Sequence, residues 1–419
     1  MTASRPRLVV VATLARLGGA ERSLVALLAR LAGALDVTVL APEDGPLVGA
    51  VTATGAACRI VPWPRSLATS GERAGARLGA LARALGDVGV LRIRLAAALA
   101  ELRPDVVVTN GIKAHVLGAL VRRATAAPLV WYAREGLEDR PLSRVLLRAL
   151  GRRCDGVVAI SRYVAGEFRP LVPGPAPVHV VPNIVEPASV RPGLALPADL
   201  RKAAGELWIG VVGALTPLKG QDVFLDAAAR VAAELPAARF LVVGGEPYRT
   251  ESRLGYGTAL RERAHALGIG ERVRFLGERA DAPAVIANLD VLVQPSRGPE
   301  GLGRVILEAM GCGVPVVTVD RWGPRELVRH GETGFLVPPG DSRALAEALL
   351  GIAREPTRRT AVGAAARRWF DAHADPIAAA AAFRAALASI ARLPSLADGA
   401  AGQAVVAERA AAGATRSAR

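Results

Sequence analysis

Cysteine, lysine, histidine and aromatic residues are all scarce in this 419-residue chain. The three cysteines, Cys58, Cys154 and Cys312, are odd in number and scattered. That pattern suggests neither a disulfide framework nor a metal knuckle, and leaves them as small buried apolar residues. Aromatic residues make up 4% of the chain, too few to build a base-stacking surface, so no nucleic-acid partner is expected. No apolar run reaches the ~18–20 residues that cross a bilayer. Arg5 and Arg7 precede an apolar stretch, yet no long hydrophobic segment or small-residue cleavage site follows, so a buried first strand is expected rather than a signal peptide. These features imply a cytoplasmic protein. There is no Asp-x-Asp pair and no His/Cys/carboxylate cluster with metal-ligand spacing, so no metal is expected.

What is abundant is apolar residues, at 51%, and arginine. Lysine occurs only at positions 113, 202 and 219, and arginine fills nearly every other basic position. The formal net charge is +15. Residues 1–190 hold 24 Lys and Arg against 14 Asp and Glu, and the remainder 29 against 24, so the excess lies in the first half. A basic surface attracts anionic membranes or phosphorylated substrates. Two segments, 141–153 and 90–103, alternate Leu, Val and Ile with arginine at helical spacing. Such basic amphipathic helices lie on anionic membranes or turn a solvated face outward from a core, and both readings stay open.

Apolar strand patterns alternate with helical ones throughout, which predicts an α/β chain with parallel sheets. Strands are expected at 7–14, 36–41, 58–63, 105–110, 128–134, 156–161 and 178–182, then at 208–215, 239–244, 272–276, 290–294 and 314–319. A proline-rich stretch without periodicity over 184–205 separates the two sets. The expected division is a first domain over 1–190, a linker at 191–205, a second domain over 206–360, a helical segment at 361–392 and a disordered tail at 393–419. Ligands of open parallel sheets bind beyond the carboxyl ends of the strands.

The most informative stretch is 295–339, PSRGPEGLGRVILEAMGCGVPVVTVDRWGPRELVRHGETGFLVPP. Glu300 and Glu308 stand eight residues apart around a glycine-rich turn into a helix, and a second glycine turn leads to Glu326. Glycines at such a turn let backbone N–H groups approach a phosphate, and a carboxylate one helix on can accept hydrogen bonds from ribose. Taken with GVPVV and GETGFLVPPGD in that order, the segment resembles the donor site of family 4 glycosyltransferases. These are retaining enzymes of the GT-B fold, in which two doubly wound Rossmann-like domains face each other across a cleft. The resemblance extends over about residues 7–390.

The resemblance implies roles for individual residues. Lys219, in GALTPLKGQ after Gly213, matches a lysine that clamps the donor diphosphate; the arginine that accompanies it in relatives is Ala214 here. Arg297 and Arg304 are candidates for the missing charge. Glu308 matches the glutamate that binds ribose, and Glu300 the one facing the donor sugar. Gly301, Leu302 and Gly303 bring backbone amides toward sugar and phosphate, with Leu302 where relatives often have Phe. Gly18 and Gly19, in GGAE after the first strand, approach the donor phosphate or the acceptor. Asn110 and Lys113, in TNGIKAHVLG, fall on the acceptor side, while His115 is expected to pack. Relatives often carry a histidine where Arg134 stands. An arginine cannot act as a base, but front-face retaining transfer needs none, so Arg134 either binds an anionic group or pairs with Glu135 or Glu138. Ser161, Arg162 and Asn183 match positions at the cleft hinge. The last helix of the fold crosses back onto the first domain, and 361–391 is the candidate.

The resemblance thus implies an enzyme that moves a sugar from a nucleoside diphosphate donor to an acceptor hydroxyl of a cell-envelope glycan or glycolipid, with retention. No cofactor is implied, the nucleotide-sugar being a substrate. Residence at the inner face of the membrane would fit. Ala214 and Arg134 keep open a catalytically weak binding or assembly subunit, and a sugar-nucleotide epimerase is a further alternative.

Overall fold

The structure, a computed structural model, describes residues 5–64, 67, 78–246 and 255–398. In the first half, seven strands run β1 Arg7–Val11, β2 Asp36–Ala41, β3 Ala57–Ile60, β4 Val106–Asn110, β5 Leu129–Ala133, β6 Gly156–Ala159 and β7 Val178–Val180. They form one sheet in the order β3-β2-β1-β4-β5-β6-β7, with every pairing parallel. The second half adds β8 Leu207–Val212, β9 Ala238–Val243, β10 Val273–Gly277, β11 Val291–Gln294, β12 Val316–Val319 and β13 Gly334–Val337. Their order is β10-β9-β8-β11-β12-β13, again parallel.

The composition accounts for this. Strands such as VVVTN and LVWYA are buried along their whole length, as expected where helices cover both faces of a sheet. The few aromatics are spent on the cores: Trp131, Tyr132, Phe168, Trp208, Phe224, Phe240, Phe370 and Phe383 are all essentially inaccessible. The chain runs β1→β2→β3 in one direction and β3→β4→β5→β6 in the other, and crossovers between parallel strands follow the right-handed rule. Helices Leu78–Leu102, Ile112–Leu120 and Pro141–Leu150 therefore share one face of the first sheet. In each sheet the strand order reverses once, between β1 and β4 and between β8 and β11. Ligand sites of this architecture form beyond the carboxyl ends of the strands at that reversal.

Four features differ from the pattern read in the chain. β1 ends at Val11, because residues 12–18 leave the sheet to reach the glycine turn. β13, four residues of GFLV after a glycine turn, is too short for its period to show. The segment 361–391 is two helices, Pro356–His373 and Pro376–Ala391. Pro376 cannot continue a helix, and Asp375 caps the new one through its carboxylate to the Ile377 amide at 2.8 Å. The second of these helices lies on the first half, with the Phe383 ring 5.2 Å from that of Tyr132 and Ile390 filling the space over Gly156. Finally, the expected tail begins with a helix, Ser395–Asp398, held by the buried Leu396 and by Arg384 donating to its carbonyl; residues 399–419 of that expectation lie outside the described residues.

Among the described residues no single helix is long and apolar enough to cross a membrane. Helices Pro356–His373 and Pro376–Ala391 reach that composition only as a pair bent by 41°, and Phe370, Phe383 and Leu387 are packed inside the protein.

Candidate functional site

The carboxyl ends of β8 and β11 build one wall of the cleft. After β8, residues 213–216 lead into a single turn at Pro217–Lys219, and Gly220 starts the helix Gln221–Glu234. Gly220 has φ +72°, and a Cβ there would meet the Pro295 carbonyl oxygen at 2.0 Å, so this junction requires glycine. Gln221 donates to the Ala214 carbonyl at 2.9 Å, and the Arg297 amide donates to the Leu218 carbonyl at 2.9 Å. The two loops are thereby stitched together. Lys219 Nζ donates to Glu300 Oε2 across them. That carboxylate also accepts from Gln294 Nε2 at 3.1 Å and Ser296 Oγ at 3.4 Å.

Glu308 lies on the helix Arg304–Gly311 and is buried there, accepting from Arg304 Nε at 2.8 Å. Arg304 goes on to donate through Nη1 to Ser23 Oγ at 2.9 Å and to the Ile184 carbonyl at 2.6 Å. Burial draws its pKa down, against the pull of Glu308. Arg297 pairs with Asp222. Both arginines considered for the missing charge at Ala214 are thus engaged elsewhere.

The other wall is built at β1, β4 and β5. Gly18 and Gly19 open the helix Gly19–Leu31, with Gly18 extended and no side-chain cap. Glu21 in its first turn is buried, which raises its pKa. Asn110 ends β4, inaccessible and with Oδ1 unpartnered. Lys113 donates to the Leu67 carbonyl at 2.7 Å, and burial lowers its pKa. His115 packs: it stacks on Trp131 at 5.5 Å, bonds Thr109 Oγ1 at 2.7 Å, and burial pushes its pKa down to about 3. Arg134, at the end of β5, pairs with neither Glu135 nor Glu138. It donates to Asn183 Oδ1 at 2.7 Å and lies over the Tyr132 ring at 4.6 Å.

The two walls touch through side chains that the sequence alone did not bring together. Ser161 Oγ donates to the Gly301 carbonyl at 2.6 Å while accepting from the Val164 amide. Glu326 accepts from the amides of Arg162 and Tyr163 at 2.9 and 2.7 Å. The first amides of the helix Arg162–Phe168 are therefore capped partly from the opposite half. Glu138 accepts from Arg321 at 2.6 Å and Trp322 Nε1 at 2.7 Å. The resemblance put Ser161 and Arg162 at the cleft hinge and the sequence put Glu326 after a glycine turn, but nothing in either states that the two face each other. A separate cavity of about 650 Å³, lined by Arg7, Asp36 and Asp105 among others, lies at the amino ends of the first sheet, away from these residues.

Chemically, the wall built at β8 and β11 offers a cation and a carboxylate in contact, and a second carboxylate on the helix that follows. This suits an anion beside a polyhydroxyl group. Residues 206–355 match the family described as "Glycosyl transferases group 1", and residues 17–189 match "Glycosyltransferase Family 4". The chain is 31% identical over 372 residues to the GDP-mannose-dependent alpha-(1-6)-phosphatidylinositol monomannoside mannosyltransferase of Mycobacterium tuberculosis, covering 85% of this chain and 91% of that one. It is 38% identical over 199 residues to the D-inositol 3-phosphate glycosyltransferase of Rhodococcus opacus, covering 46% and 44%. Among solved structures it is similar to Anabaena HepE in complex with UDP and glucose, with a TM-score of 0.77, 25% identity and coverage of 92% of this chain and 100% of that one. The fold also matches that of sucrose-phosphate synthase from Thermosynechococcus elongatus, with a TM-score of 0.70, 22% identity and coverage of 90% and 96%. With both halves matched and the strand order of each sheet accounted for, the chain belongs to the family 4, group 1 glycosyltransferases of the GT-B fold.

Proposed function

We propose that the protein transfers a sugar, mannose in the first instance, from a nucleoside diphosphate donor to a hydroxyl of an inositol-containing glycolipid of the cell envelope, with retention at the anomeric carbon. The observation that carries the donor side is the contact of Lys219 with Glu300, one helix before Glu308. Lys219 and the amides after Gly213 hold the diphosphate, Glu300 the sugar hydroxyls with the amides of Gly301, Leu302 and Gly303, and Glu308 the ribose. The names of the relatives support mannose and the lipid, since the M. tuberculosis protein is named for GDP-mannose and a phosphatidylinositol mannoside.

In the step itself the bond from the anomeric carbon to the diphosphate oxygen breaks, and the acceptor oxygen bonds to that carbon from the same face. The acceptor proton passes to the departing phosphate oxygen, so nucleoside diphosphate leaves and no protein base is required. Lys219 stabilises the charge that develops on the leaving group, and electrostatic stabilisation of this kind often contributes more to catalysis than any other effect. Asn110 and Lys113 border the acceptor. The first half carries exposed Ile93 on one helix and exposed Leu142, Val145 and Leu146 on another of the same layer, with Arg92, Arg94 and Arg148 exposed among them. Such a face suits an acceptor presented at an anionic membrane surface on the cytoplasmic side.

The test is release of nucleoside diphosphate from GDP-mannose and from UDP-glucose, with and without vesicles containing phosphatidylinositol and its mannosides. Acceptor-dependent GDP release, with an α-linked product by NMR, is the expected result. Donor binding without turnover on any acceptor would favour a binding subunit. A rearranged free sugar formed without acceptor would indicate an epimerase.

A further inference from the structure

An arginine holds five N–H donors in a fixed fork and does not lose its charge. Arg134 is 6% exposed and uses one nitrogen, toward Asn183; its Nε and Nη1 are shielded and have no partner. The acids beside it are taken, Glu135 by Arg140 at 2.9 Å and Glu138 by Arg321 and Trp322. Glu21 still acts on it electrostatically, and a buried cation with so little direct pairing is costly for a fold to keep. Of the arginines considered at the cleft, 134, 297 and 304, only Arg134 has shielded N–H groups without a partner.

Its surroundings say what it waits for. Arg134 bonds Asn183, the next residue Ile184 accepts from Arg304, and Arg304 bonds Ser23 and lies 3.9 Å from where a Cβ on Gly19 would stand, so a chain of contacts joins Arg134 to the glycine turn and to the helix carrying Glu308. The helix Gly19–Leu31 is 13 residues long and presents its first amides here without a side-chain cap at Gly18. The Glu21 carboxylate folds back over Gly18, with Oε2 2.8 Å from where a Cβ there would stand, so a carboxylate oxygen already sits at the helix start. The backbone of Arg134 also lies directly against Gly301 of the opposite wall.

We propose that Arg134 and the N-terminus of the helix Gly19–Leu31 form an oxyanion site on the first-half wall, and that this site takes the donor diphosphate opposite Lys219. It supplies the second cation that Ala214 lacks, and Glu21 holds the place until the phosphate arrives. This rests on the donor-site assignment above.

The test is calorimetric binding of GDP, UDP and the corresponding monophosphates to wild type, Arg134→Met, Arg134→Lys and Lys219→Ala. Arg134→Met should weaken diphosphate binding roughly ten- to hundredfold, as for loss of a charge-assisted hydrogen bond, and leave monophosphate binding within about twofold. Donor kcat should fall with it, and Arg134→Lys should recover part of the loss. Undiminished diphosphate binding by Arg134→Met, where Lys219→Ala binds weakly, would overturn the proposal and leave the donor site standing. A raised KM for phosphatidylinositol with diphosphate binding intact would move the oxyanion to the acceptor and overturn it likewise. If neither variant affects any nucleotide, the donor-site assignment itself has failed.

Discussion

Replacing Gly301 by alanine perturbs the closest approach of the two cleft walls without removing any functional group. A Cβ at position 301 would lie 2.3 Å from the Arg134 carbonyl oxygen and 3.0 Å from Ile160 Cδ1. Real Cβ contacts essentially never fall below 3.0 Å, so the walls must separate by at least the difference, 0.7 Å, against backbone that cannot rotate away. The Ser161 hydrogen bond to the Gly301 carbonyl, at 2.6 Å, is then stretched as well. Glu300 moves with its neighbour, and with it the carboxylate proposed to bind the sugar and its contact to Lys219. A misplacement near 1 Å costs a rate on the order of 100-fold, or ~2.7 kcal/mol of transition-state stabilisation. Steady-state donor turnover by Gly301→Ala should fall by roughly that factor. Its thermal midpoint should change little, because the side chains filling the interior of the second sheet, Phe224, Phe240 and Val293 among them, are untouched. Turnover within about twofold of wild type would refute the argument that the walls must meet this closely.

Two further outcomes follow from the cleft contacts. Glu326→Ala removes a cap supplied across the cleft, so unfolding stability should drop by about 1 kcal/mol. Small-angle scattering of the ligand-free variant should show a larger radius of gyration; an unchanged radius would mean that the cap does not hold the walls together. Burial raises the Glu21 pKa above its ordinary 4.5, so between those values the folded state binds more protons than the unfolded one. Stability from this group therefore falls as pH rises through that window and stays lower above it. Glu21→Gln should raise the melting temperature at neutral pH and lose that advantage below pH 4.5, which melting curves across pH would check.

Much of this was legible in the chain. Runs such as VVVTN and VLVQ between helical patterns state a parallel sheet covered on both faces, and the glycine turns after them state where a site must lie. Glu300, Glu308 and Lys219 could be picked out because the short local segments that carry them resemble a known donor site. What could not be read is which turn meets which across the cleft. Glu326 reaching the helix Arg162–Phe168, or Arg304 reaching Ser23 281 positions away, depends on how two separately folded sheets face each other. Arg134 shows the same limit. Glu135 beside it and Glu138 four residues on suggested an ordinary ion pair, yet the guanidinium bonds Asn183, 49 residues on. The break at Pro376 was open to inspection, since the dipeptide Asp375–Pro376 stops one helix and caps the next.

The central claim is that Glu308 holds the ribose of the donor nucleotide. Affinities of GDP and UDP and of their 2′,3′-dideoxy analogues, measured by calorimetry on wild type and Glu308→Ala, test it most directly. A hydrogen bond from hydroxyl to carboxylate contributes ~1.5–3 kcal/mol, so the dideoxy analogue of the preferred nucleotide should bind wild type about 10- to 100-fold more weakly. In Glu308→Ala that penalty should vanish, because the two changes remove the same contact. An equal dideoxy penalty in both proteins would contradict the assignment of the ribose to Glu308.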